Sequence, residues 1–210
     1  MLSLSIDGQT ERTAVMKEPL DPADTVLQEI EAIGKRSFIP SIGPVKGKIL
    51  AEVVNKTRPR RILEVGALYG YSAILMAKNS PPKTEIISVE KNPEHVRIAV
   101  ENIRQANMEG RIRVIEGDGR TELGKLSGSF DLVFLDAEKT QYLAYLKAVE
   151  KNLHKGSVIV ADNVGIFKDQ MGDYLEYVRK KGPYKSRTLE TLLEFSDSTK
   201  DAMEISEKLD

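Results

Sequence analysis

The sequence predicts an α/β protein with a mostly parallel sheet and helices on both faces, and three observations support this prediction. Five short apolar runs, typical of buried strands, alternate with helical stretches from residue 61 onwards. The helical stretches are suited to right-handed crossovers, which place parallel strands side by side. Two strand-like runs near the C-terminus are joined only by residues 196–199, which predicts an antiparallel hairpin. We therefore expect seven strands.

The individual elements follow from periodicity and from capping residues. An acceptor followed by proline begins a helix at Asp21 and Pro22, and Gly34 is expected to end it. The same signal at Asn92 and Pro93 begins another helix. The other helices are predicted at residues 43–56, 72–78, 121–126, 140–152 and 169–181, and that from Pro93 extends to residue 106. Strands are predicted at residues 62–65, 85–89, 112–115, 132–135, 157–161, 184–195 and 201–205.

The domain organisation is predicted to be simple. Residues 1–20 show no stable period and are expected to form a loosely ordered N-terminal arm, whereas residues 21–210 form one domain. The apolar first helix and the arm could together form a contact in a homodimer.

Composition excludes several classes of function. The 210 residues include 31 Lys and Arg, 32 Asp and Glu and no Cys. Disulfides, thiolate metal sites and a cysteine nucleophile are therefore excluded. A net charge of -1 provides no overall basic field, so we expect neither nucleic acid nor a membrane surface as partner. No apolar run approaches the ~20 residues of a membrane span, and no secretory signal is present, so a cytoplasmic location is expected.

Ligands of open α/β sheets bind beyond the carboxyl ends of the strands. The first strand is followed by Gly66 and Gly70, which allow a tight turn and close approach of the backbone to a ligand. An ordinary strand-to-helix turn remains the alternative. The spacing matches neither a P-loop nor the glycine pattern of dinucleotide enzymes.

Acidic residues follow the second and third strands. Glu90 could accept hydrogen bonds from both hydroxyls of a ribose, although a charge near a helix N-terminus is the alternative. Asp118 could accept from an adenine amino group, or it could belong to a simple turn.

The fourth and fifth strands end in a group of oxygen ligands. Asp136 follows one strand, and Asp162 and Asn163 follow the next, so their side chains are expected to meet. Carboxylate and amide oxygens suit Mg²⁺ or Ca²⁺. Lys139 could act as a base if burial and a nearby cation lower its pKa. Taken singly, the Asp-Asn pair could be a helix cap and Lys139 a solvated helix residue.

Three stretches resemble the cation-dependent S-adenosylmethionine O-methyltransferases, a family that includes the catechol and caffeoyl-coenzyme-A enzymes. These stretches are residues 62–72, 130–142 and 161–164, and the similarity extends over about residues 36–206. The resemblance implies a Rossmann-like class I methyltransferase fold and S-adenosylmethionine as methyl donor. It also implies Mg²⁺ or another divalent cation on Asp136, Asp162 and Asn163, with Lys139 as general base.

The resemblance implies further binding residues. The donor would contact Ile42, Glu64, Gly66, Ala67, Gly70, Tyr71, Ser72, Glu90, Asp118, Gly119 and Asp136. The acceptor, a small vicinal diol or phenol, would contact Phe38, Lys139, Phe167 and Glu194. Ala137 and Glu138 are more similar to the caffeoyl branch, whereas residues 193–195 are more similar to the catechol branch. Two alternatives stay open: an RNA or other macromolecular methyltransferase on the same fold, and a non-catalytic cofactor-binding module.

Overall fold

The computed structural model describes residues 21–37 and 39–210, and these contain one seven-stranded sheet. Its strands, in chain order, are β1 (Arg61–Val65), β2 (Glu85–Glu90), β3 (Ile112–Glu116), β4 (Phe130–Leu135), β5 (Leu153–Ala161), β6 (Tyr184–Leu192) and β7 (Lys200–Lys208). They lie in the order β3-β2-β1-β4-β5-β7-β6. Strands β1 to β5 are parallel, and β7 runs antiparallel to both β5 and β6. The predicted sheet with its C-terminal hairpin is confirmed.

Helices cover both faces of this sheet. The α-helices are α1 (Pro22–Arg36), α2 (Gly43–Thr57), α3 (Tyr71–Asn79), α4 (Pro93–Gln105), α5 (Gly119–Glu122), α6 (Tyr142–Val149) and α7 (Gly172–Glu176). Successive strand residues point to opposite faces, so Ile62 packs with helices α1 to α4 and Leu63 packs with α6 and α7. Each face therefore has its own apolar core, and the strands are buried on both sides.

Side chains at the helix starts act as the sequence predicts, but one predicted helix end is wrong. Asp21 accepts a hydrogen bond from the Ala23 N–H at 3.0 Å, and Asn92 accepts one from the Glu94 N–H at 2.9 Å. Helix α1 does not end at Gly34 but continues to Arg36. The ring of Phe195 packs against Gly34 where a side chain would otherwise stand. The glycine therefore serves close packing and not termination.

Other element boundaries also differ from the prediction. Strand β5 begins at Leu153, four residues before the predicted start at residue 157. The prediction missed its first half because that half contains a run of polar residues and a bulge at Gly156, with φ 86°. The predicted helix 169–181 is broken into a 3-10 turn, the short helix α7 and a π-helical turn at Tyr177–Lys181. The predicted helix 121–126 is the short helix α5 followed by a 3-10 turn.

Some predictions fall outside the described residues. The predicted arm of residues 1–20 lies there, as does Phe38, so the domain boundaries stay predictions. Within residues 21–37 and 39–210, no helix has both the length and the apolar composition that crossing a bilayer would require.

Candidate active site

A cavity of about 560 Å³ opens at the carboxyl ends of the parallel strands. From β1 the chain passes to β2 and β3 on one side and then returns to β4 on the other. The loops after β1 and β4 therefore diverge, which is the position where open α/β sheets bind ligands. The segment before α2, the loop after β5 and the end of the C-terminal hairpin complete the wall.

The loop after β1 makes the predicted tight turn, and its backbone lines this cavity. Gly66 has φ 102°, and a Cβ at this position would collide with the backbone carbonyl of Asp136. Leu68 also lies in the left-handed region, with φ 46°. Its N–H donates to the carboxylate of Glu90 at 3.0 Å, which connects the turn to the end of β2.

Glu90 lies between this turn and the helix that follows β2. Besides the bond from Leu68, it accepts a hydrogen bond from the N–H of Asn92 at 2.9 Å. His95 approaches it, with Nδ1 3.7 Å from a carboxylate oxygen. The side chain of Glu90 is 10 % exposed and faces the cavity, and each carboxylate oxygen can accept a further hydrogen bond.

Glu64 lies behind the cavity wall. Its side chain is fully buried, and the hydroxyls of Ser72 and Ser88 both donate to it. Burial raises the pKa of Glu64 to about 7, although the two hydroxyl donors act in the opposite direction. Glu64 does not line the cavity, whereas Ser72 does. A contact of Glu64 with the methyl donor, which the sequence predicts, would therefore be indirect, through Ser72.

Asp118 is also occupied by a local interaction. It is the N-cap of α5, where it accepts from the Arg120 N–H at 2.9 Å and pairs with the Arg120 guanidinium at 2.7 Å. These contacts lower the pKa of Asp118 to about 2. Asp118 does not line the cavity, whereas Gly119 does. The geometry thus matches the turn interpretation of Asp118.

Lys139 lies on the 3-10 turn after β4 and faces the cavity. Its ammonium donates to Asp136 Oδ1 at 2.9 Å and to the hydroxyl of Tyr142 at 3.0 Å. Burial lowers the pKa of Lys139, but the opposing effects of Asp136, Tyr142 and Asp162 are larger together and raise the pKa above its usual value. The lowering of this pKa was predicted only for a site with a nearby cation, and it stays a prediction.

Beside this pair lie three buried carboxylates, which we call the acidic cluster: Asp162, Glu194 and Asp201. The ammonium of Lys46 lies 2.9 Å from Asp162 and 2.6 Å from Asp201, and it also contacts Glu194. The amide nitrogen of Asn163 donates to Glu194 at 3.1 Å and to Asp201 at 2.8 Å. Burial lowers the pKa of Lys46, but these carboxylates outweigh burial and raise it.

The residues of this region fit an oxygen-ligated cation. Asp162 Oδ1 is buried and accepts no hydrogen bond from the described residues, although the Lys46 ammonium lies 2.9 Å from it. One carboxylate oxygen from each residue of the acidic cluster lies within 4.8 Å of the other two. Burial raises the pKa of Asp162, and the nearby charge of Asp136 raises it further, so a cation between these two carboxylates would offset their repulsion. The predicted ligands Asp136, Asp162 and Asn163 share only Asp162 with the acidic cluster.

The structure brings most of the predicted site residues to one cavity. Those that line it are Ile42, Gly66, Ala67, Tyr71, Ser72, Glu90, Gly119, Asp136, Lys139, Asn163, Phe167 and Glu194. Those that do not are Glu64, Gly70, Asp118 and Asp162, and Phe38 lies outside the described residues. Gly70 instead shapes the turn from behind, as the N-cap of α3 with φ 84°.

Sequence reasoning missed Lys46, Asp201 and Tyr142. Lys46 lies four residues before Leu50 and seven before Val53, so it shares the buried face of α2. A lysine in that register was a usable signal, because lysine is almost never fully buried without a partner. Asp201 gave no comparable signal, since its partners are more than 30 positions away in the chain.

Comparison with known proteins agrees with the fold and the cavity. A family model described as O-methyltransferase matches residues 23–180. Catechol O-methyltransferase B of Danio rerio is 36% identical over 183 residues, which are 84% of this chain and 69% of that protein. The chain therefore belongs to the O-methyltransferase family.

Solved structures extend the comparison to nearly the whole chain. A putative O-methyltransferase from Klebsiella pneumoniae has a TM-score of 0.78 and 25% identity, covering 95% of this chain and 94% of that one. An O-methyltransferase from Bacillus cereus, solved in complex with SAH, has a TM-score of 0.78 and 24% identity, covering 93% of each chain. The fold is thus the Rossmann-like fold of these enzymes.

Proposed function

We propose that this protein is an S-adenosylmethionine-dependent, divalent-cation-dependent O-methyltransferase that methylates one hydroxyl of a small vicinal diol of the catechol type. One observation carries the proposal: a single cavity is lined both by the turn after β1 with Glu90 and by the Asp136–Lys139 pair. A nucleoside-binding turn and a group that can exchange protons therefore face the same space.

The methyl donor is assigned to the side of the cavity formed by β1 and β2. Glu90 has acceptor capacity for ribose hydroxyls, and Ser72 with the N-terminal turn of α3 suits a carboxylate. The Bacillus cereus relative was solved in complex with SAH, which supports a methyl donor of this class but not its position in the cavity. Ile42, Tyr71 and Gly119 would pack around the donor from the other walls.

A divalent cation is assigned to Asp136, Asp162 and Asn163. The strongest support is the buried Oδ1 of Asp162, which accepts no hydrogen bond from the described residues, although the Lys46 ammonium lies 2.9 Å away. The amide nitrogen of Asn163 is bonded to the acidic cluster, which leaves its carbonyl oxygen for another partner. Hard oxygen ligands of this kind favour Mg²⁺. When bound, the cation supplies Lewis acidity that lowers the pKa of an acceptor hydroxyl.

Lys139 is assigned as the general base. Asp136 keeps Lys139 protonated by their 2.9 Å ion pair, so Lys139 can accept a proton only when that carboxylate is engaged elsewhere. Lys139 first releases its own proton to solvent, and the neutral amine then removes the hydroxyl proton of the acceptor. The acceptor oxygen forms a bond to the methyl carbon as the carbon–sulfur bond of the sulfonium breaks, and S-adenosylhomocysteine leaves. The proton passes from Lys139 to solvent.

The acceptor is assigned to the end of the cavity near the C-terminal hairpin. Phe167 offers an apolar surface for a flat ring, and Glu194 offers a carboxylate for the second hydroxyl. Phe38 stays a predicted acceptor contact outside the described residues. Relatives named as catechol and caffeoyl-CoA O-methyltransferases support a small phenolic acceptor.

The test is methyl transfer from labelled S-adenosylmethionine to catechol, with resorcinol as the matched acceptor whose hydroxyls are not adjacent. Each reaction is run with Mg²⁺ and with excess EDTA. We expect transfer to catechol in Mg²⁺ only, and little transfer to resorcinol, because only adjacent hydroxyls can both reach one cation and Glu194. Transfer to catechol that survives thorough chelation would refute the cation assignment. Equal transfer to both acceptors would refute the requirement for adjacent hydroxyls.

A further inference from the structure

Lys46 is a fully buried lysine whose ammonium contacts three carboxylates of the acidic cluster. The four residues come from separate parts of the fold. Lys46 is on α2 and Asp162 directly follows β5, whereas Glu194 is in the loop after β6 and Asp201 is at the start of β7. A lysine with one exposed partner contributes little to a fold. A buried lysine that meets three carboxylates determines where each of them lies, because moving any one leaves buried charge unpaired.

The contacts of Lys46 also select which carboxylate oxygens remain available. Lys46 and Asn163 both donate to Oε1 of Glu194, so Oε2 makes no hydrogen bond among the described residues. On Asp162, the Lys46 ammonium lies 2.9 Å from both oxygens; it donates a hydrogen bond to Oδ2, and Oδ1 accepts no hydrogen bond from the described residues. The second oxygen of Asp201 accepts from the N–H groups of Gly165 and Ile166. Glu194 and Asp162 thus each keep one oxygen that accepts no hydrogen bond from the described residues.

We propose that Lys46 is a positioning residue, a built-in monovalent cation that fixes the acidic cluster and limits how strongly the site binds a divalent cation. This inference rests on the proposed function for its cation and its acceptor. It assigns to Lys46 no contact with the reacting atoms. Lys46 instead orients Glu194 towards the acceptor and Asp162 towards the cation.

Charge balance supports this role. When ionised, the four carboxylates of Asp136 and the acidic cluster carry four negative charges, and the ammoniums of Lys46 and Lys139 carry two positive charges. The balance of two negative charges matches one divalent cation. Without Lys46 the same site would hold three uncompensated charges, and a cation would bind it more strongly and closer to the acidic cluster.

The experiment compares Lys46→Met with the double variant Lys46→Met/Asp201→Asn, which removes one positive and one negative charge together. Thermal unfolding is measured in EDTA, where no cation contributes. We expect the melting temperature of Lys46→Met to lie roughly 10 °C below that of the parent, because removal of the ammonium leaves buried carboxylates without a compensating charge. The double variant should recover at least half of that loss. Asn retains an acceptor for the Gly165 and Ile166 N–H groups.

The second measurement is the binding of Mn²⁺ alone, by calorimetry without methyl donor or acceptor. We expect Lys46→Met to bind Mn²⁺ on the order of tenfold more tightly than the parent, since a positive charge has left the site. The double variant should return to within about threefold of the parent. A merely structural lysine would lower the melting temperature without tightening cation binding.

Lys78→Met is the matched control, because Lys78 also pairs with two carboxylates, Asp21 and Asp24, but is partly exposed and does not line the cavity. It should leave Mn²⁺ binding unchanged and lower the melting temperature by no more than a few degrees. Unchanged or weaker Mn²⁺ binding by Lys46→Met would overturn the proposal. So would a double variant that is no more stable than the single one.

Two further outcomes are decisive. If Lys46→Met is too unstable to purify, the double variant alone decides, and its failure to fold overturns the proposal. The unfolding measurements in EDTA are independent of turnover. A loss of stability in Lys46→Met that the double variant recovers would thus support the positioning role of Lys46 even if the diol assay refuted the proposed function.

Discussion

The buried carboxyl of Glu64 provides a quantitative prediction for the dependence of stability on pH. Burial raises its pKa from 4.5 to about 7 in the folded protein. Between these two values the folded protein retains the proton while the unfolded chain has lost it. Raising the pH therefore favours unfolding, and the stability contributed by this group is lost as the pH rises through about 7.

The magnitude follows from the size of the shift. A change of about 2.5 pK units corresponds to about 3 kcal/mol, at 1.36 kcal/mol for each unit. Glu64→Gln preserves the shape and removes the titration. Relative to the parent, this variant should gain up to about 3 kcal/mol in free energy of unfolding between pH 5 and pH 8, whatever its stability at pH 5.

Urea unfolding of both proteins at several values between pH 5 and pH 8 measures this difference directly. Subtracting the parent curve removes every other titrating group. Glu85→Gln, an exposed substitution on the neighbouring strand β2, is the control and should parallel the parent. If the free energies of Glu64→Gln and of the parent also run parallel over this range, Glu64 does not hold its proton in the folded state and the reasoning is refuted.

Two further predictions concern the cavity. Lys139→Ala should still bind S-adenosylmethionine but lose at least about 99% of its turnover, because general base catalysis contributes 10²–10⁴-fold. Lys125→Ala, at an exposed lysine, is the control. If Lys139→Ala keeps a turnover near that of the parent, Lys139 is not the general base. Gly34→Ala should displace the ring of Phe195 and with it the adjacent carboxylate of Glu194. The KM for the diol should rise several-fold, and the free energy of unfolding should fall by about 1–2 kcal/mol. Gly124→Ala, which meets no neighbouring atom, should do neither in the same kinetic and urea assays.

The sheet was predictable because its signals are local. The acceptor and proline at Asp21 and at Asn92 mark helix starts with a few adjacent residues, and the apolar runs mark strands buried on both faces. Strand β5 was shortened in the prediction because its polar first half, with a bulge at Gly156, lacks the apolar pattern. Local patterns thus predicted the topology and missed the irregular ends.

The candidate site was predictable only where its residues follow strand ends. Asp136, Lys139 and Asn163 were found in that way, because parallel strands bring their carboxyl ends to one edge. Glu64 lies within β1, where its side chain meets Ser88 of the paired strand and Ser72 of α3, and no sequence pattern shows these partners. Lys46 was missed because its partners are 116 or more positions away.

The order of the chain gives the acidic cluster a consequence for biosynthesis. Lys46 and Asp162 leave the ribosome well before Glu194 and Asp201, which belong to the C-terminal hairpin. A chain synthesised only as far as Asp162 contains the Lys46 ammonium and one of its three carboxylate partners, and it does not yet contain the strand that pairs with the outer edge of β5. Pairing of β7 with β5 supplies Asp201 and places the loop that carries Glu194 beside it. Completion of the fold and completion of the acidic cluster are therefore the same event.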